Sequence, residues 1–485
     1  MTLVASPGYG FTLRLRAVNH PGMVGIITST IGKMGGDIGA IDIARAGKKS
    51  VTRDYTVSAS GVEHSRQIVD KVRKISGVEV LNVSDRTFLI HLGGKIKIEN
   101  SVPLKTRDDL SMAYTPGVAR VCEEIAGDSS KVYNLTIKSS TVAIITDGSA
   151  VLGLGDIGPE ASLPVMEGKC MLFKKFGGLN AFPIALATKD VDEIVDTVAR
   201  IAPVFGGINL EDISSPRCFE VEKKLTKRLD IPVFHDDQHG TAVVVTAALR
   251  NALKVVGKDI SEVKIVICGL GAAGISCGQL LHASGARSIV GVDSSGILYR
   301  GRSDGMNDVK REFAGITNEV LEKGGLGDAM KGADIFIGVS GADILSVEML
   351  KSMKPDAVLL ALANPTPEID PYAAGPYVRI MATGRSDFPN QVNNVLCFPG
   401  FFKGLLACHA SEVNMEMKLA ASMAIASVVG SDELSEDYII PGVFDERVAP
   451  RVAEAVIKAA VKTGAARRIP KKRPRLLPEN GEAEQ

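Results

Sequence analysis

The stretch VKIVICGLGAAG, residues 263–274, decides the fold of much of this 485-residue chain. An apolar run of strand composition passes directly into Gly269-x-Gly271-x-x-Gly274 and then into a helical run, ISCGQLLHAS (275–284). Glycines at that spacing serve a tight turn, a close approach of backbone to a pyrophosphate, and a tight helix–strand contact. The helix start adds free N–H groups and a positive dipole, with Ala272 and Ala273 in the same phosphate-facing loop. A second strand, RSIVGVD (287–293), ends at Asp293, 24 positions after Gly269. Together these predict a Rossmann-type, doubly wound dinucleotide-binding domain. Asp293 would accept hydrogen bonds from ribose hydroxyls and disfavour a 2′-phosphate, which favours NAD. Arg300 and Arg302 lie close by and would instead pair with such a phosphate, leaving NADP open.

Upstream, strand-like runs (STVAIITD, 140–147; FPIALAT, 182–188) alternate with helical ones (DEIVDTVARIA, 192–202; CFEVEKKLTKRL, 218–229). That order predicts a separate α/β domain over 91–237, followed by the dinucleotide domain over 238–466. Residues 1–90 read differently. FTLRLRA (11–17) alternates as a half-buried strand, VGIITSTIGKMGG (24–36) has helical spacing, and two strands, a helix (63–75) and a last strand (78–85) follow. The order is βαββαβ, a ferredoxin-like unit. With the loop Asn19-His20-Pro21-Gly22 and the pair Gly35-Gly36, it resembles an ACT domain, which implies a regulatory module with a possible small-molecule effector. A dimerisation module without ligand is the competing expectation. The Pro- and charge-rich tail, 467–485, reads as disordered.

Lys+Arg and Asp+Glu balance at 56 each, so no global field points to nucleic acid or an anionic membrane, and small-molecule ligands are expected. No apolar run has the length of a membrane span, and the N-terminus lacks the layout of a secretory signal. Seven cysteines without a CxxC pair read as core thiols of a cytoplasmic protein.

Acidic pairs supply the chemistry. FHDDQHGTA (234–242) sets Asp236 and Asp237 side by side, and GGINLEDI (206–213) sets Glu211 beside Asp212, each pair at the end of a strand-like run. Adjacent carboxylates call for a hard cation, an ammonium or plain solvent. Neither His235 nor His239 has a metal-ligand spacing, so both are given structural roles.

These segments, with AYTPGVA (113–119), TDGSAVLGLGDIG (146–158), PVMEGK (164–169), ANPTPEI (363–369) and NNVLCFPG (393–400), resemble malic enzyme in order across roughly 105–465. The resemblance implies oxidative decarboxylation of (S)-malate to pyruvate and CO2 with NAD(P)+ and Mg2+ or Mn2+. It implies metal ligation by Glu211, Asp212 and Asp237, with Asp236 beside a catalytic lysine, Lys169. Lys169 is the implied general base and Tyr114 the general acid of the final tautomerisation. Asn364 and Asn394 are implied to bind substrate, with Asn364 also near the cofactor, whereas Asn393 suits backbone or cofactor equally. A homodimer or larger homo-oligomer is implied as well. One departure stands out: Ala150 occupies a position where animal members carry arginine, which leaves open how the malate carboxylates are held. Two other readings remain: malolactic chemistry on the same scaffold, and a catalytically idle amino-acid sensor.

Overall fold

The computed structural model describes residues 5–151 and 153–470, and the chain divides into two compact units between Lys97 and Ile98. Residues 471–485, most of the tail expected to be disordered, lie outside the described residues.

The first unit runs β1 (Ser6–Val18), α1 (Met23–Lys33), β2 (Asp37–Ala46), β3 (Ser50–Ala59), α2 (Val62–Arg73), β4 (Val78–Asp85) and a short α3 (Arg86–His91). Its antiparallel sheet has the order β2-β3-β1-β4, the ferredoxin-like arrangement that the βαββαβ order predicts. Alternation explains β1: Leu13, Leu15 and Ala17 are buried, while Arg14 and Arg16 face outward to Asp54 and Glu79 across the strands. Met23, Ile27 and Ile31 of α1 and Ile68 and Val72 of α2 cover the apolar face at helical spacing. The Asn19 side-chain amide donates to Gly47 O at 3.1 Å and ties down the β2–β3 turn.

The second unit begins with short helices α4 (Arg107–Ala113), α5 (Gly117–Gly127) and α6 (Val132–Leu135). A parallel sheet follows, from β5 (Thr141–Thr146), β6 (Asn180–Ala185), β7 (Gly207–Leu210) and β8 (Val233–His235), in the order β6-β5-β7-β8. Helices α7 (Pro159–Leu172), α8 (Val191–Ile201) and α9 (Arg217–Arg228) connect its strands. Helix α10 (Thr241–Val256) leads to a second sheet of β9 (Lys264–Cys268), β10 (Ser288–Asp293), β11 (Gly296–Ile297), β12 (Ile335–Gly338), β13 (Val358–Ala361) and β14 (Ile380–Thr383). Its order is β11-β10-β9-β12-β13-β14, parallel apart from β11 at the edge, with α11 (Ala272–Ala283) between β9 and β10. Such strands are covered on both faces, which is why they read as continuous apolar runs.

Helix α10 is apolar on nearly all sides because it lies in a core shared by both sheets, joining Val142 and Ile144 of β5 to Ile265 and Ile267 of β9. The two carboxyl-end loop sets are thereby held in one compact unit. All seven cysteines are free, six of them buried. Among the described residues no helix is long and apolar enough to cross a membrane.

Candidate active site

Parallel pairing brings the acidic pairs together. Leu210 of β7 lies opposite His235 of β8, so Glu211–Asp212 and Asp236–Asp237 leave the same edge of the sheet side by side. Asp212 turns with φ 54°, and its amide donates to Asp237 Oδ2 at 2.9 Å. Ligand oxygens of Glu211, Asp212 and Asp237 all lie within 4.8 Å of one another. Asp212 Oδ2 is buried without a hydrogen-bond partner. Burial, then Asp237 and Glu211, push Asp212 up to about 9. Burial and neighbouring Asp236 push Asp237 up to about 6, and burial and Asp237 raise Glu211 as well. An oxygen-rich cluster whose acids resist ionisation even with the Lys169 ammonium nearby fits a hard divalent cation.

Lys169, on α7, enters the cluster from the other side. Its Nζ donates to Glu211 Oε1 at 2.7 Å and to Asp236 Oδ2, and lies 4.2 Å from the centre of the Phe398 ring. Burial opposes its charge, but Asp236 and Glu211 outweigh burial and hold the ammonium protonated well above the ordinary lysine value. Asp236 is fully buried, and Gly240 is required beside it, since a Cβ at 240 would sit 1.9 Å from Asp236 Oδ1. Asn394 Nδ2 lies 3.3 Å from Asp236 Oδ2 and 3.1 Å from Thr241 Oγ1. The doublet therefore divides: Asp236 faces the ammonium, and Asp237 faces the other acids.

The histidines serve the frame. His235 is buried and its pKa is pushed down to about 4 by burial, so it is neutral, while His239 Nε2 lies 2.9 Å from Glu222. Asn393 accepts from the Val395 amide at 3.0 Å and caps a turn. Asn364 lies exposed in the loop after β13, its backbone carbonyl against Gly153.

In the second sheet Gly269 has φ 102°, and a Cβ there would lie 2.5 Å from Val339 O. A Cβ at Gly274 would lie 1.8 Å from Gly269 O, whereas at Gly271 it would meet open space. The loop is thus packed behind and open in front, with Ala272 and Ala273 opening α11.

Two of the expected site residues have surroundings that the sequence spacing does not indicate. Asp293 is paired within the chain: Oδ1 accepts from Arg302 at 2.8 Å and from the Ser295 amide at 2.9 Å, and Oδ2 from Lys310 at 2.6 Å and again from Arg302. Its four lone-pair positions are occupied. Burial opposes its ionisation, but Arg302 and Lys310 hold it below the usual carboxylate range. Arg302 is buried in this pairing and is no open phosphate partner. Tyr114 is the second: it is 67% exposed, and its hydroxyl has no hydrogen bond among the described residues.

Sequence reasoning overlooked Arg217. At the start of α9 its Nη2 donates to buried Asp147 at 2.6 Å and to Ser149 Oγ at 2.9 Å, and Ser149 also accepts from the Ser214 amide. The same loop reaches Asp212, whose carbonyl accepts from the Ala150 amide at 3.0 Å. Arginine at a helix start carries no distinctive spacing; only the meeting of the β5 and β7 loops singles it out.

Residues 93–226 match the malic enzyme N-terminal domain, and residues 238–461 match the malic enzyme NAD-binding domain. The chain belongs to the malic enzyme family. This malic enzyme is 57% identical to the NAD-dependent malic enzyme of Geobacillus stearothermophilus over 96% of its own length and 98% of that relative's. It is also 57% identical to the bifunctional malic/malolactic enzyme of Bacillus subtilis (strain 168), over 77% of this chain and 92% of that one. The crystal structure of the NAD-dependent malic enzyme from Thermotoga maritima superposes with a TM-score of 0.74 at 48% identity, covering 76% of this chain and 98% of that one. As a malic enzyme the chain is a decarboxylating oxidoreductase with an NAD(P)-binding domain.

Proposed function

We propose that this malic enzyme converts (S)-malate to pyruvate and CO2 with reduction of NAD+, or of NADP+, in the presence of Mg2+ or Mn2+. The observation that carries the reading is the buried cluster of Glu211, Asp212 and Asp237 in contact with Lys169. Residues 91–237 would form the catalytic domain and 238–466 the cofactor domain, with 1–90 an ACT-like regulatory module, in a cytoplasmic homo-oligomer.

Glu211, Asp212 and Asp237 would hold the divalent cation, which when bound supplies Lewis-acid polarisation. Hydride leaves malate C2 only as the C2 hydroxyl loses its proton, and Lys169 takes that proton in its neutral form, having first released its own proton to solvent. Glu211 is shared between Lys169 and the acidic cluster, so drawing it into a ligand set removes one counter-charge from the ammonium and lowers its pKa. Asp236 and Asn394 keep the amine in position. Departure of C4 as CO2 leaves an electron pair at C3, which Tyr114 protonates. The proton taken at C2 and the proton given at C3 balance. Asn394 and Asn364 are placed on the substrate side, and Gly269 to Gly274 on the pyrophosphate.

Arg217 answers the question that Ala150 raised. Its Nη2 donates to Asp147 and Ser149, and no hydrogen bond from Nη1 is found among the described residues, so that nitrogen suits a malate carboxylate. Arg217→Ala should raise KM for malate about 10- to 100-fold, the worth of one charge-assisted hydrogen-bond pair, with a smaller change in kcat. An unchanged KM would remove Arg217 from the substrate site.

The acidic cluster predicts a pH dependence. Asp212 and Asp237 have folded pKa values, about 9 and about 6, above those of an unfolded chain. The folded state then binds more protons, so the stability of the metal-free protein falls as pH rises from about 4 to 9. Cation binding must displace those protons, so Mn2+ affinity should climb with pH between 6 and 9, by up to about tenfold per unit. Asp212→Asn keeps a residue suited to the left-handed turn and removes one charge. It should raise the metal-free Tm above pH 7 by about 2 °C and abolish the Mn2+-induced rise. Equal Mn2+ affinity at pH 6 and pH 9 by calorimetry would contradict this account.

The functional test is malate turnover with Mn2+, measured separately with NAD+ and NADP+. Pyruvate equal to reduced cofactor supports the reading. Lactate without net reduction would move the chain to malolactic chemistry, which the Bacillus subtilis relative's name keeps in view. Repeating the assay with amino acids and acyl-CoAs tests the ACT-like module, and flat malate saturation throughout would count against an effector.

A further inference from the structure

We propose that the cavity between α9 and the helix Met415–Ala426 is a binding site for a small phosphoryl anion, inorganic phosphate or a small phosphate monoester, seated on Lys418, Lys223 and Lys227. The cavity holds about 270 Å3, room for a phosphate or a monoester of a few carbons and too little for a dinucleotide. It shares His239 with the acidic loop, and no step of the malate reaction derived above uses it.

Its charge is unbalanced. Lys223 and Lys227, one turn apart on α9, line it with Lys418 and with a single carboxylate, Glu222. Lys224, on the same helix, is paired with Asp192 and with Glu220 at 2.8 Å each, whereas Lys223, Lys227 and Lys418 form no ion pair among the described residues. Glu222 is committed inward: Oε1 accepts from the His235 amide at 3.0 Å, and His239 Nε2 lies 2.9 Å from Oε1 and 3.0 Å from Oε2. Three ammoniums against one engaged carboxylate leave an excess of two positive charges, close to the charge a phosphoryl group carries at neutral pH. Lysine binds phosphate as a point charge, whereas a planar carboxylate is best matched by arginine, and no arginine lines this cavity among the described residues. Burial pulls the half-buried Lys418 below the ordinary lysine value in spite of Glu222, and a bound anion would offset that.

The contacts run on to the catalytic doublet. Lys418 Nζ lies 3.4 Å from His239 Nδ1. An ammonium only donates and a carboxylate only accepts, so His239 carries its proton on Nε2 and offers Nδ1 to the lysine. His239 follows Asp237 by two residues and His235 directly precedes Asp236, so Lys418, His239 and Glu222 brace both ends of the loop that carries the two aspartates. An anion that fixes Lys418 steadies that loop without touching the acids themselves.

The test is phosphate binding to the full chain, free of metal and saturated with NAD+ or NADP+ so that the Gly269–Gly274 loop is filled. Calorimetry should find one phosphate bound per chain. Lys418→Met, which keeps the apolar stem, should weaken that binding about 10- to 100-fold, the worth of one charged hydrogen bond. Lys223→Gln combined with Lys227→Gln, both at exposed positions, should weaken it about 3- to 10-fold and serves as the probe if Lys418→Met folds poorly. At about ten times Kd, hydrogen exchange of the 235–242 amides should slow about tenfold, because opening of the loop is linked to release of the anion. Tighter binding of glycerol phosphate than of inorganic phosphate would support a monoester as occupant, and the reverse order free phosphate. Binding that is absent, that is unchanged in both variants, or that leaves the 235–242 amides unprotected would overturn the site. Succinate binding as tightly as phosphate would overturn its phosphoryl chemistry. These readouts need neither malate nor metal, so their failure leaves the malate reading standing.

Discussion

Lys169→Ala should lower malate turnover by about a thousandfold or more, the range lost when a positioned general base is removed. No described neighbour can replace it: Asp236 is fully buried and pushed up to about 6, and its carboxylate lies against the lysine rather than open to a substrate hydroxyl. The substitution also strands Asp236 and Glu211 around an empty volume. Breaking a buried ion pair by removing one partner costs about 3–5 kcal/mol, so a lower Tm is expected alongside the lost turnover. Two readouts keep chemistry apart from folding. Cofactor binding, followed by nicotinamide fluorescence, should persist because the Gly269–Gly274 loop is untouched. Mn2+ binding should tighten or hold, since Glu211 is released from the ammonium. A variant that is folded, binds cofactor and turns over malate at the wild-type rate would reject Lys169 as base.

Asp237→Ala should weaken Mn2+ binding at least about 100-fold and abolish turnover at ordinary metal concentrations. Of the three clustered carboxylates Asp237 alone is partly open to solvent, and Glu211 is already claimed by Lys169 and by Asn209 at 2.9 Å. Asp237 Oδ2 also accepts from the Asp212 amide, so its loss frees the left-handed turn that aims Asp212. Asp237→Asn, which keeps an acceptor for that amide, should bind Mn2+ nearly as poorly but retain more stability. Titration by calorimetry and Mn2+ electron paramagnetic resonance separates the two effects. Unaltered Mn2+ affinity in both variants would remove Asp237 from the ligand set.

Much of this site was legible one segment at a time. The period-two pattern of residues 11–17, the buried run of β9, the glycine spacing of 269–274 and the position of acidic pairs after strand-like runs are local features, each governed by neighbours within a turn or two. At Asp293 such local features stop short. Its offset from Gly269 is a property of the chain, but its occupancy depends on Arg302 and Lys310 folding back over it. Arg217 left no local signature, because its partners Asp147 and Ser149 lie about seventy positions away.

By itself, then, the sequence determined the elements, the two sheets' apolar strands, the dinucleotide loop and the inventory of acids, since backbone sterics and hydrophobic period act over short range. Tertiary structure alone decided which charges meet: parallel pairing of β7 with β8 joins two acidic pairs, and packing of α7 against them buries one ammonium among four carboxylates. It also left Tyr114 outside that cluster. The physical reason is that Coulomb and desolvation energies depend on distances through space, which no spacing along a chain specifies.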